Sequence, residues 1–167
     1  MRTLFACALL ANCVAACGGD DGATESTESP DHDDHADHEL NDDFKGCPEG
    51  IPAFEPGLEA VGEHFSLKLV AAKPTEPERY RNDWTVEVRS ADGAPAPDAE
   101  ITRGQTFMPV HGHDGRVQPK LKALSEPGQF EVDSLNFTMR GPWEVRLWVR
   151  SSSVKEELDV FHVCVAK

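Results

Sequence analysis

From residue 65 onward, apolar positions recur at every second residue, in short runs separated by Gly, Pro and Asp. "FSLKLVA" alternates from Phe65, and "DWTVEVRS" sets Trp84, Val86 and Val88 against Thr85, Glu87 and Arg89. "AEITRGQTFM" and "RVQPKLKAL" follow a turn-rich connection, "ADGAPAPDA". "PWEVRLWVR" places Trp143, Val145, Leu147 and Val149 on one face, and "LDVFHVCVA" does the same with Phe161, Val163 and Val165. A period of two is the signature of a half-buried strand, and no stretch carries the 3.6-residue period of a helix. Pro119 lacks an amide to donate, which argues for an edge position in its run. "GQFEVDSLNF" alternates through Phe130 and Val132, then changes parity to Leu135 and Phe137, so a β-bulge is expected near Asp133 or Ser134. Seven strands of this length predict an all-β fold, an immunoglobulin-like antiparallel sandwich, with a barrel as the other all-β option.

The pattern is different before residue 44. Residues 1–16, "MRTLFACALLANCVAA", hold one Arg and then an apolar run too short to span a bilayer, which reads as a secretory signal. The run ends in "VAAC", an aliphatic residue, two small ones and Cys17, which resembles the lipobox of bacterial lipoproteins. That resemblance implies lipid on Cys17 and a mature chain starting there, anchored to a membrane. Gly18, not Asp, follows Cys17, so the inner-membrane retention signal of the lipoproteins it resembles is absent, which in a cell with two membranes favours the periplasmic face of the outer one. Residues 17–43 read as a disordered tether. From 18 to 43 they hold eleven Asp or Glu and no Lys or Arg, too little apolar surface to offset ordering entropy. Its "DHDDHADHE" carries His32, His35 and His38, a tract that reads equally as a loose auxiliary metal holder or as a solvated acidic spacer. Residues 44–167 suit one domain.

Charge changes little about the domain. The whole chain is formally −14, but past residue 43 nineteen acidic residues face fifteen basic ones. No basic face exists, so nucleic acid is not an expected partner. Of five cysteines, Cys7 and Cys13 leave with the signal and Cys17 takes lipid. In an oxidising compartment the remaining pair, Cys47 and Cys164, is expected to form a disulfide, the alternative being two free thiols with one as a metal ligand.

The candidate chemistry lies in "MPVHGHDG", residues 108–115. Counting antiparallel reversals puts its loop at the same end of the sandwich as Met139, because one strand ends at Met108 and another descends from Gln129. Whether the two loops are neighbours depends on the strand order. Thioether and imidazole together suit copper, soft sulfur favouring Cu(I) and imidazole accepting either oxidation state. Met108, His111, His113 and Met139 are the candidate ligands. The competing interpretation has the methionines filling the core end and the histidines in a polar turn. His64 and His162 are weaker ligand candidates, and His162, opposite in parity to Phe161, reads rather as a surface strand residue. "HGHDG" does not extend to the His-x-His-x-Asp-His of metallo-β-lactamase-type hydrolases, whose last two positions fall here on Gly115 and Arg116. No His-Glu-x-x-His and no Gly-x-Ser-x-Gly is present. The expected protein is not an enzyme.

"FMPVHGHDG" followed by "GQFEVDSLNFTMRGPWEVRLWV" resembles the YtkA-like domain family and, more distantly, the periplasmic part of FixH-type proteins. The shared positions are Met108, Pro109, His111 and His113, then Gly128 and Phe130, then Met139, Gly141 and Trp143. The resemblance spans roughly residues 64–166. It implies an immunoglobulin-like sandwich in the bacterial envelope; FixH-type relatives are tied to copper oxidase assembly, and some similar sandwiches carry copper. This chain carries a lipobox where FixH-type proteins have a transmembrane helix. Two functional classes follow: an envelope lipoprotein that binds copper as carrier, buffer or delivery module, and a metal-free structural domain that recognises a protein partner.

Overall fold

The computed structural model describes residue 44 and residues 46–167. The signal segment, Cys17 and the tether histidines His32, His35 and His38 lie outside the described residues. Nine strands form in chain order: β1 Glu59–Val61, β2 Phe65–Lys73, β3 Tyr80–Ser90, β4 Glu100–Met108, β5 His113–Asp114, β6 Lys120–Ala123, β7 Gln129–Phe137, β8 Gly141–Arg150 and β9 Glu157–Val165. They build two antiparallel sheets, β1-β2-β3-β7-β6 and β5-β4-β8-β9, and the described residues contain no helix. All seven strands expected from alternation are present. The count of seven is corrected to nine by β1 and β5, whose three and two residues are too short to show a period.

The inward faces are the ones the alternation marked. Trp84, Val86 and Val88 meet Trp143, Val145, Leu147 and Val149, with Phe161, Val163 and Val165 from β9, and all are buried. Trp84 and Trp143, each 1% exposed, withdraw roughly 200 Å² apiece from water, about 5 kcal/mol each in transfer free energy. Phe54 and Phe161 pack on Trp84 at ring-centroid distances of 5.1 and 5.8 Å. Pro119 stands immediately before β6, which is the sheet's edge strand, where a missing amide costs no ladder bond.

The parity slip in β7 is a bulge at Asp133 and Ser134. Asn82 pairs Leu135 and Trp84 pairs Val132, so the single residue Asp83 faces two. Ser134 takes φ 64°, and the amide that the bulge frees donates to Asp83 Oδ1 at 2.9 Å. Arg81 bridges the carboxylates of Asp83 and Asp133, at 3.1 and 2.7 Å. Burial pushes the Asp83 carboxyl up, but a hydrogen bond shared with Asp133, the Ser134 amide and the Arg81 guanidinium outweigh it and hold it at about 2.

Cys47 and Cys164 are bonded, with Cα atoms 5.8 Å apart across 117 residues of sequence. Cys164 alternates with inward Val163 and Val165, so the bridge lies on the outer side of β9 and pins the entering chain to the last strand.

Candidate functional site

β4 brings its inward alternation to an end at Met108, which is 2% exposed. The chain then reverses. The amides of His111 and Gly112 both donate to the Met108 carbonyl, at 3.2 and 2.8 Å, and Gly112 takes φ 66°, a left-handed conformation that a Cβ disfavours. The reversal lets β5 pair back on β4 with Met108 opposite His113 and Phe107 opposite Asp114. Directly opposed residues of an antiparallel pair present their side chains on the same face. His113 therefore rises from the face that carries the buried Met108, and is itself half-buried.

The ring of His113 is tightly placed. Its edge meets Trp143, with centroids 5.7 Å apart and planes at 70°. The His111 ring lies nearly parallel to it, at 5.9 Å and 22°. His113 Nδ1 is 3.1 Å from the carbonyl oxygen of Asp114. A carbonyl can only accept, so Nδ1 is the donor in this contact, and in the neutral ring Nε2 then keeps its lone pair.

The turn between β7 and β8 completes the end of the sandwich. β4 and β8 are hydrogen-bonded neighbours, Phe107 pairing Glu144, which puts residues 138–140 beside the His111–His113 loop. The Trp143 indole N–H donates to the Met139 carbonyl at 3.0 Å. Met139 is half-buried against the core, and with His113 it lines an open groove of about 690 Å³ bordered by Tyr80, Val117 and Thr138. Gly141, at φ 124°, leaves room for Met108, whose Cε lies 2.8 Å from where a Cβ would stand.

Below the loop, Thr106 ties the two sheets together, its hydroxyl donating to the Asn136 carbonyl at 2.9 Å. Gly115 donates its amide to the Thr106 carbonyl at 2.8 Å, and a Cβ there would collide with Thr106 Oγ1 and Asn136 O. The sequence pattern did not single out Thr106, Gly115 or Tyr80. The signal available was a threonine on the inward face of β4, where a buried hydroxyl needs a partner.

The four expected ligands thus share one end. His111, His113 and Met139 approach solvent, and Met108 lies beneath them in the core. Among the described residues, no group of three or more His, Cys, Asp or Glu could hold a metal ion. His162 is exposed on the outer side of β9, away from this cluster.

The YtkA-like family model matches residues 62–147, half of the chain. The chain belongs to the YtkA-like family. The match runs from the turn before β2 to the middle of β8, so it includes the whole His/Met loop and the Met139–Trp143 turn. Cys47, Cys164 and β9 lie outside the matched residues. No curated protein and no solved structure matches the chain.

Proposed function

We propose that this YtkA-like protein is a lipoprotein of the bacterial envelope that binds copper at His111 and His113 together with Met139 and Met108, as a carrier, buffer or delivery module without enzymatic activity. The observation that carries this reading is the opposition of Met108 and His113 across the β4–β5 hairpin, with His111 stacked alongside and Met139 in the same groove. A sulfur-and-imidazole set is soft enough for Cu(I) and tolerates Cu(II). The Asp114 carbonyl holds His113 in the tautomer that leaves Nε2 available to a metal, an outer partner of the kind ligating histidines use. Lipid on Cys17 would tether the domain at the periplasmic side of the outer membrane. Mass spectrometry of the N-terminal peptide tests that part, and an unmodified Cys17 ends it.

The copper test uses the full chain with His32, His35 and His38 changed to Ala, so that no metal held loosely by the tether is counted as bound to the folded site. In that background the protein should retain about one equivalent of copper against a competing chelator, as ligands organised by folding do. His111→Ala, His113→Ala added to it, with the sandwich intact by circular dichroism, should retain none. Equal retention by the two proteins overturns the site.

A second reading, a metal-free domain that recognises an envelope protein, draws support from the exposed Val110, Tyr80 and Val117 around the same loop. Capture of one envelope protein that is unchanged by copper and by the histidine substitutions would favour it.

A further inference from the structure

The side of the sandwich opposite β6 is closed by β1, which pairs with β2 and packs against β9 of the other sheet. Between β1 and β2 the chain turns, the Gly62 amide donating to the Phe65 carbonyl at 2.9 Å. Two carboxyls of β9 meet this turn. Glu157 is well supplied with donors: the His64 amide at 3.0 Å, His64 Nδ1 at 2.7 Å and the Phe65 amide at 3.4 Å. Asp159, two residues on and therefore on the same face, is 2% exposed, and neither of its oxygens has a hydrogen-bond partner among the described residues. Both carboxyls converge on Gly62, where a Cβ would collide with Asp159 Oδ1 and Glu157 Oε1 together.

An ionised Asp159 in that position has no compensation. β8 places Leu147 opposite it, β2 turns Phe65 and Leu67 into the core, and β1 contributes Ala60. Glu59 on β1 and Glu63 in the turn are exposed and acidic, and His64 is engaged by Glu157. No Lys or Arg is paired with either carboxyl among the described residues. A buried charge without a partner costs several kcal/mol, so one proton held by the pair is the economical state.

We propose that Asp159 and Glu157 hold one proton between them and that this proton is a latch, letting the Gly62–Phe65 turn lie against β9, its loss to solvent freeing the turn and β1 to lift from that strand. Two adjacent carboxyls in unlike surroundings divide the roles. Glu157, although burial pushes it up, is held below the usual carboxylate range by the donors of residues 63–65 and stays ionised. Asp159, desolvated and beside that charge, is pushed up to about 7. A folded value raised above the unfolded one means that the folded chain binds more protons between about pH 4 and 7, so stability falls as pH rises through that window and then levels off. The latch is closed in mildly acidic surroundings and opens above neutrality. It concerns the end of the sandwich away from the copper ligands, and does not depend on them.

Amide hydrogen exchange on the full chain, corrected for the intrinsic rate, reads the opening directly. Protection at Gly62 and His64 should fall about tenfold between pH 6 and pH 8.5 relative to the β3 and β8 amides, a local opening rather than a global one. Asp159→Asn, neutral at both pH values and similar in shape, should abolish that difference. Persistence of the full pH effect in Asp159→Asn overturns the latch, as does an unchanged protection pattern in the unsubstituted chain. Should the Asn variant fail to fold, the Asp159 carboxyl carbon followed by NMR in the unsubstituted chain decides: titration near neutrality supports the latch, and titration near pH 4 refutes it. Calcium is the control cation. A rise in Tm at pH 8.5 on adding it, absent in Glu157→Gln, would show that the pair holds a metal ion in place of the proton and would also overturn the proposal.

Discussion

Met108 on β4 and His113 on β5 stand directly opposite each other in the antiparallel register, so a buried thioether and a half-buried imidazole rise from one face of one hairpin. The pairing joins the domain core to the His111–His113 loop. It also separates the two methionines by role: Met108 packs under Gly141, whereas Met139 lines the groove with His113.

Met139→Leu, close in volume, should leave Tm nearly unchanged, since such swaps cost under about 1.5 kcal/mol. It should weaken Cu(I) retention about tenfold, roughly 1.4 kcal/mol, and Cu(II) retention less, because thioether sulfur prefers the softer ion. Chelator competition under anaerobic and aerobic conditions measures both. Equal losses for the two ions would remove Met139 from the ligand set.

Gly115→Ala should be among the most disruptive single-methyl additions to the domain. Its Cβ meets Thr106 Oγ1 and the Asn136 backbone, and neither can retreat without breaking the hydrogen bond between the sheets. A loss above about 3 kcal/mol in denaturant unfolding is expected, against about 1–3 kcal/mol for Thr106→Val, which removes the hydroxyl that donates to the Asn136 carbonyl. A Gly115→Ala protein as stable as its parent would mean that this end of the sandwich is loose.

Cys47→Ser, Cys164→Ser should lower stability by up to about 4–5 kcal/mol, the chain-entropy value for a loop of this length. Thiol labelling of the unfolded, unreduced protein should find neither cysteine. Labelling of both would refute the bridge. Copper retention should survive the double substitution at temperatures where the domain stays folded, because the bridge is outside the ligand cluster.

Asp83 makes stability sensitive to strong acid. Its folded value, near 2, lies below the ordinary 3.8, so its contribution is present above about pH 4 and is lost as pH falls toward 2. Unfolding titrations between pH 5 and pH 2 should show a decline of about 1–2 kcal/mol that is absent in Asp83→Asn. The two sign patterns are opposite: Asp83 weakens the fold at low pH, and Asp159 weakens it as pH rises toward 7. An unchanged acid slope in Asp83→Asn would assign the decline to other carboxylates.

What could be read from the chain was local. Alternation is a property of neighbouring residues, so seven strands, their inward faces and the bulge at Asp133–Ser134 were legible without a structure, as was a shared end for the His111–His113 loop and Met139. β1 and β5 were not legible, because two or three residues show no period and their pairing depends on a partner already in place. Strand order belongs to the tertiary structure alone: only the adjacency of β4 and β8 brings the loop and the 138–140 turn side by side. Asp159 is the sharpest case. In "ELDVFHVCV" it sits at an inward position of a strand that ends in Phe161, Val163 and Val165, and nothing local says whether a cation, a proton or water meets it. That depends on Gly62, ninety-seven residues earlier, and on Glu157 being supplied with the donors that Asp159 lacks. Burial and electrostatics act between segments that folding brings together, and so they are decided by the packed molecule.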